Sequence, residues 1–568
     1  MKRPTLVIAF LLCLAPSVPV LAQGQRTAAM PSQAEIARYA NDLLMRRYRA
    51  DAPGGAVLVA RGDTLLFRAA RGEADVAGHV PLRPDSVFRI GSVTKQFAAA
   101  GLLKLVEAGT VKLEDPLSKY VPDYPGGDRI SVLQLLNHTS GIRSYTSLKG
   151  YMDGPVRRDL TTAQMIQVFR NETPPSEPGA KWEYNNSGYV LVGAVIEAAS
   201  GQPWHAYLDR VFFKPLGMRH TGYALDPSRL ARQVKGYSYE GDKLVPARPI
   251  SMTQPHAAGA LVSNVDDLFR WNRALHEGRV LQSATYAQMI TPVGKAVDVG
   301  YGFGLFDGMV RRSKALWHGG GIFGFISSLN YLPGPDISVV VLENDDQDND
   351  RIGGDSADIF ARRLAAKALG DPYPAMQAVA VGAAILQGAE GVYRFDGEVR
   401  RILRVVDGKL TSQRGARGEP QMLTPIAADD FLYPDGFNRL RLERDASGRI
   451  ARVRFFPGGD GDGEVGVNMN EPLPSGPAGV QVPRVALERL VGAYVHPDAG
   501  LTLKVYFDRD ALLGQIAGQN PVTLRAKSPT EFDVEETGAS IAFPAGNAPA
   551  AEATIRQKGR EILLKRVP

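Results

Sequence analysis

The strongest constraint on what this chain can become is a change of texture near Gly370. From about Ser32 to Gly370, apolar residues recur with both helical and strand periods. Beyond that point the helical period disappears, and short β-rich runs separated by Gly, Asp and Pro take over. In the first part, Gly55 to Ala60 and Thr64 to Ala70 are joined by Arg61-Gly62-Asp63, while Phe325 to Leu332 and Ile337 to Leu342 flank Pro333-Gly334-Pro335-Asp336. Both read as hairpins. Helical stretches such as Phe97 to Ala108 and Val190 to Ala199 lie between them, and Ser356 to Leu369 follows. Strands at both ends with helices between them predict an α+β domain whose sheet is closed by distant segments.

The β-rich half carries a weak internal repeat. Gly391-Val392-Tyr393 matches Gly492-Ala493-Tyr494, Leu423 matches Leu524 and Phe431 matches Phe532, each at an offset of 101 positions. A constant offset at three separated places predicts two copies of one small barrel. The Pro- and Gly-rich stretch Asn470 to Gly479 is the candidate linker between them. The expected division is 30–372 for the mixed domain, then 380–470 and 484–568 for the barrels.

The first 22 residues read as an export signal: basic Lys2 and Arg3, an apolar stretch from Leu6 to Leu14, and Val20-Leu21-Ala22 before the cleavage point. A periplasmic or secreted location follows. The longest later apolar run, Ala378 to Leu386, is too short to span a membrane. The single cysteine, Cys13, lies inside the signal, so the exported chain has neither disulfide nor thiol chemistry, and catalysis must use oxygen or nitrogen groups. The net charge of +6 is spread along the chain and argues against nucleic acid as a partner.

Three motifs point to chemistry. In Gly91-Ser92-Val93-Thr94-Lys95, at the start of an apolar-patterned helix, Ser92 and Lys95 face the same way, so the amine can reach the hydroxyl proton. In Trp182-Glu183-Tyr184-Asn185-Asn186, a phenol beside a lysine can pass a proton to a leaving group, and the Asn186 amide can hold both the lysine and a substrate carbonyl. In Trp317-His318-Gly319-Gly320-Gly321, glycines entering a strand let a substrate approach closely, and the N–H groups of Gly321 and Ser92 can together hold an oxyanion. Each motif alone is weak. A second Y-x-N at Tyr39-Ala40-Asn41 has no turn context and reads as part of an ordinary amphipathic helix.

Taken in order, Ser92-x-x-Lys95, Tyr184-x-Asn186 and His318-x-Gly320 resemble the penicillin-recognising serine hydrolases, whose near relatives are class C β-lactamases, D-alanyl-D-alanine carboxypeptidases, family VIII-type esterases and D-aminopeptidases. Leu135 to Gly141, Pro178-Gly179, Pro215 to Met218, Gly259 to Leu261 and Tyr301 to Gly304 are similar to the family's framework. The resemblance implies a β-lactamase/transpeptidase-like domain, an antiparallel sheet with a helical insert, followed here by two small antiparallel lipocalin-like β-barrels. It implies Ser92 as nucleophile, Lys95 as base, Tyr184 as proton relay, Asn186 as positioner and His318 in the third catalytic element, with Gly320 and Gly321 against the substrate. Many lactam-hydrolysing members have Lys where this chain has His318, and His there is similar to D-peptidases and D-aminopeptidases.

The expected function is an acyl-enzyme hydrolase of amide or ester bonds, acting on small peptides that contain D-amino acids. A carboxylesterase and a non-turnover penicillin-binding sensor are the alternatives. No metal or cofactor is implied: the eight histidines include no H-E-x-x-H, and the G-x-S-x-G of α/β-hydrolases is absent. His138 is expected to hold a turn; a barrel loop, were it to line the cleft, would narrow the substrate range to small ligands.

Overall fold

The computed structural model describes residues 30–567 except 231, 241–242, 347–355, 375–377, 397–398, 416–419, 435, 460, 474–481, 497–500, 509–510, 517–521, 535–538, 547 and 558–559. The export signal and most of the linker after Asn470 lie outside the described residues.

Helix α1 (Gln33–Arg47) opens on a capping box, in which Ser32 Oγ accepts from the Glu35 amide and the Glu35 carboxylate accepts from the Ser32 amide. The elements that build the site follow: β1 (Gly55–Arg61), β2 (Thr64–Arg71), α2 (Thr94–Glu107), α3 (Asn186–Ser200), α4 (Val265–His276), β3 (Phe306–Val310), β4 (Ser313–Ile322), β5 (Phe325–Leu332), β6 (Ile337–Glu343) and α5 (Ala357–Leu369). The six strands form one antiparallel sheet in the order β3-β4-β5-β6-β1-β2. Strand β1 pairs with β6 from Gly55 opposite Glu343 to Arg61 opposite Ile337, so segments almost three hundred residues apart close the sheet. Arg273 on α4 ties the two predicted hairpin turns together, bonding Asp63 at 3.2 Å and Asp336 at 2.6 Å.

Successive residues of the central strands serve opposite faces. Ala56, Leu58, Val340 and Leu342 join the core formed with α2, α3 and α4. Val57, Val59, Val339 and Val341 pack with Ile36 and Leu44 of α1 and Phe360 and Leu364 of α5. At ~1.5–3 kcal/mol for each fully buried aliphatic side chain, both faces must stay covered, which explains a sheet between two helical layers.

After α5 the chain is almost entirely β. Nine strands from Gly391–Arg394 to Glu464–Asn468 form one antiparallel sheet whose two edges, Gln421–Met422 and Thr424–Ala427, are separated only by Leu423, so it is nearly closed. Eight strands from Gly492–Val495 to Arg560–Val567 form a closed barrel. The 101-residue repeat is a structural equivalence. A short helix, Ala383–Gly388 or Arg484–Glu488, precedes each first strand. Tyr393 then donates to the carbonyl of Ala389 at 2.9 Å, as Tyr494 does to that of Leu490 at 2.8 Å. Leu423 and Leu524, and Phe431 and Phe532, are buried in their respective barrel cores. The nine strands arise because Leu423 interrupts a strand that is continuous through Leu524.

The nearly closed sheet docks on the α1/α5 side of the first domain. Phe437 is buried there against Tyr373 at 4.8 Å, with the guanidinium of Arg362 4.6 Å from its ring centroid. No helix among the described residues is long and apolar enough to cross a membrane.

Candidate active site

Ser92 lies on a 3-10 turn, Gly91–Val93, that runs into α2. The turn passes so close to β4 that a Cβ on Gly91, whose φ is +48°, would stand 2.9 Å from the Gly321 nitrogen. A Cβ on Gly320 would stand 2.2 Å from the Ile90 carbonyl oxygen and 3.0 Å from the Ser92 nitrogen. Glycine at both positions is what lets the backbone amides of Ser92 and Gly321 come together beside the serine hydroxyl.

Lys95, one turn on, is fully buried. Its Nζ donates to Ser92 Oγ at 3.0 Å, Asn186 Oδ1 at 2.8 Å and the Ala258 carbonyl at 2.8 Å. No carboxylate pairs with it among the described residues. Burial therefore holds its amine well below the ordinary lysine range. The Tyr184 ring stands 4.8 Å from Nζ. Burial raises the Tyr184 phenol, and the neighbouring Ser92 hydroxyl opposes that rise. Asn186 begins α3; its amide N–H bonds Ser144 Oγ at 3.2 Å and its Nδ2 bonds Thr146 Oγ1 at 3.3 Å. Its neighbour Asn185 caps the helix through Gly188 N at 2.9 Å.

His318 sits on β4 with its ring 6.1 Å from that of Tyr184, but it is buried behind the cleft wall. Its Nδ1 donates to the Gly319 carbonyl at 2.5 Å, which leaves Nε2 to accept from the Tyr301 hydroxyl at 3.2 Å. Burial, reinforced by the Lys95 charge, pushes its pKa down to about 3, so the ring is neutral near pH 7. His138 takes the turn position expected of it. Its φ is +62°, its carbonyl accepts from Glu183 N at 3.0 Å, and its Nδ1 accepts from Asn185 N at 3.1 Å. The other Y-x-N lies within α1, away from these groups.

The open space beside Ser92 is a cleft of about 500 Å³. Met152, Ile250, Phe323, Phe325 and Ile326 form its apolar wall, and Thr146, Asn186, Arg248 and Asp346 supply polar groups. Its lining residues all fall between Gly91 and Asp346, so no described barrel residue narrows it. Sequence reasoning also missed Tyr145, Thr146, Arg248, Asp346 and the Ala258 carbonyl. No group of His, Cys, Asp and Glu among the described residues is arranged to hold a metal ion.

Comparison with known proteins agrees with this geometry. A family model described as Beta-lactamase matches residues 41–362. Penicillin-binding protein 4* of Bacillus subtilis (strain 168) is 26% identical over 314 residues, covering 52% of this chain and 69% of that protein. Among solved structures, the D-amino acid amidase from Ochrobactrum anthropi SV3 complexed with D-phenylalanine is 25% identical with a TM-score of 0.52, covering 60% of this chain and 98% of that one. The octameric penicillin-binding protein homologue from Pyrococcus abyssi, 23% identical with a TM-score of 0.53, shares the fold over 77% of this chain and 100% of its own.

Proposed function

The chain belongs to the beta-lactamase family, and from that premise we propose that it is an exported serine hydrolase that forms an acyl-enzyme on Ser92 and cleaves amide or ester bonds in small peptides containing D-amino acids, as a D-aminopeptidase or D,D-peptidase. The observation that carries this reading is the buried Lys95 amine, bonded to Ser92 Oγ and paired with no carboxylate among the described residues. A lysine in water is protonated and cannot take a proton from serine; one stripped of water and of counter-charge can. Lys95 removes the Ser92 proton as the oxygen attacks the carbonyl, and the oxyanion is held by the amides of Ser92 and Gly321. Tyr184 then protonates the departing amine or alcohol, and water releases the acyl group. Asn186 positions both Lys95 and the substrate carbonyl.

His318 acts in this scheme as a neutral support behind Tyr184. The D-amino acid preference is supported by the likeness to the D-amino acid amidase and by His at 318 in place of Lys. Export is supported by the N-terminal signal pattern, and the division at 30–372, 380–470 and 484–568 by the three largest sheets, one in each part. A penicillin-binding relative favours a second reading, a sensor that is acylated without turnover.

Turnover and intact mass measured with D-alanyl p-nitroanilide, a D-Ala-D-Ala peptide, p-nitrophenyl butyrate and a penicillin separate these readings. Cleavage of the anilide or the peptide supports the D-peptide hydrolase. Butyrate cleavage alone makes the protein an esterase, and a stable adduct without turnover makes it a sensor.

A further inference from the structure

Two charged side chains stand in the wall of the cleft at the β4–β5 hairpin tip, Arg248 by Phe323 and Asp346 by Gly324. Arg248 lays its guanidinium 4.5 Å from the Phe323 ring centroid and faces the exposed Asp153 at 3.7 Å. Asp346 is different. Its Oδ2 accepts from the Gly324 amide at 2.7 Å and from Ser238 Oγ at 2.8 Å, and no cation pairs with it among the described residues. The carboxylate is held by packed backbone: its own N–H donates to the Tyr237 carbonyl at 3.1 Å, and Gly324 is so enclosed that a Cβ there would stand 2.5 Å from Ala247 Cβ. Both donors are neutral, so among the described residues no counter-charge meets this carboxylate.

The position of Asp346 says which half of a substrate it meets. Tyr184, which serves the leaving group, rests beside His318 near the middle of β4. Asp346 meets the turn that follows β4, at Gly324, three residues beyond Gly321. A substrate whose carbonyl lies between Ser92 and Gly321 therefore directs its leaving group toward Tyr184 and its acyl half toward the hairpin tip.

We propose that Asp346 anchors a primary ammonium on the acyl half of the substrate, so that this cleft selects acyl groups carrying a free amine near the scissile carbonyl. The inference rests on the assignment of Ser92 and Tyr184 above. The amine has two sources, the terminal amine of the scissile residue or the amine of a side chain.

Two pairs of p-nitroanilides distinguish the sources: D-alanyl against N-acetyl-D-alanyl, and N-acetyl-D-lysyl against N-acetyl-D-norleucyl. Each compound is measured by turnover and by competition with p-nitrophenyl butyrate hydrolysis, so a slow anilide is still scored. The readout is the preference for the charged over the neutral member, which a general loss of activity leaves unchanged. One pair shows a preference of about tenfold in the wild-type protein, which raised salt weakens; Asp346→Asn abolishes it and Asp346→Glu retains part of it. Preference in the first pair identifies a terminal amine, and in the second a side-chain amine. Wild-type ratios near one in both pairs, or a ratio unchanged in Asp346→Asn, overturns the anchor. If Ser92→Ala still hydrolyses butyrate, the hydrolase reading itself fails.

Discussion

Replacing Gly320 by alanine tests the backbone geometry at the nucleophile. The added Cβ would stand 2.2 Å from the Ile90 oxygen and 2.4 Å from Ser327 Oγ, where a tolerated contact needs roughly 3.2 Å, so something must move by about 1 Å. The Ile90 oxygen cannot yield alone, because it accepts from Ser327 Oγ at 2.8 Å and from the Val93 amide at 3.2 Å across the nucleophile turn. The displacement therefore passes to Ser92 and its amide. A misplacement of about 1 Å costs roughly 10²-fold in rate, and overpacking of this kind costs about 1–3 kcal/mol in stability. Gly321→Ala is the control: a Cβ there meets nothing within 4 Å, so its stability stays within about 0.5 kcal/mol of wild type. Saturating p-nitrophenyl butyrate turnover and thermal unfolding of both variants make the comparison. A Gly320→Ala protein with wild-type kcat and melting temperature refutes the argument, as does a Gly321→Ala protein destabilised as much.

Activity requires Lys95 as the free amine, and burial lowers its proton affinity, so kcat/KM rises with pH through a midpoint well below the ordinary lysine value of about 10.4. Lys95→Arg stays protonated, loses roughly 10²–10⁴-fold and shows no such rise, whereas His318→Asn keeps the midpoint because His318, with a pKa of about 3, is already neutral; pH–rate profiles of the three proteins decide. Phe437→Ala removes a buried ring from the contact between the nearly closed sheet and the first domain, costing about 3–5 kcal/mol there, and limited proteolysis should cut between the two more readily while butyrate turnover changes less than twofold.

Much of this molecule is legible in its sequence because its signals are local. The hairpins at Arg61-Gly62-Asp63 and Pro333 to Asp336 announce themselves through turn residues between β-rich runs, and both form. Ser92 and Lys95 are one helical turn apart, so their contact follows from helix geometry. The offset of 101 survives because each barrel needs the same tyrosine bonded to the carbonyl four residues earlier. What sequence could not reveal depends on distant segments meeting. The Ala258 carbonyl that holds Lys95 is a backbone group with no side-chain signature. Asp346 looks like any surface acid until Gly324 is seen to bond it. The neutrality of His318 comes from burial beside Lys95, which no spacing encodes. The break at Leu423, which gives the first copy nine strands against eight in the second, arises through pairing alone.

Every step of the proposed reaction depends on acylation of Ser92 with Lys95 as its base. Rapid-quench intact-mass analysis with p-nitrophenyl butyrate, followed by peptide mapping, tests it directly. A burst of p-nitrophenol is expected, matched by one butyryl group on the peptide containing Ser92, with neither burst nor adduct in Ser92→Ala. An adduct on another residue, or undiminished hydrolysis by Ser92→Ala, would contradict it.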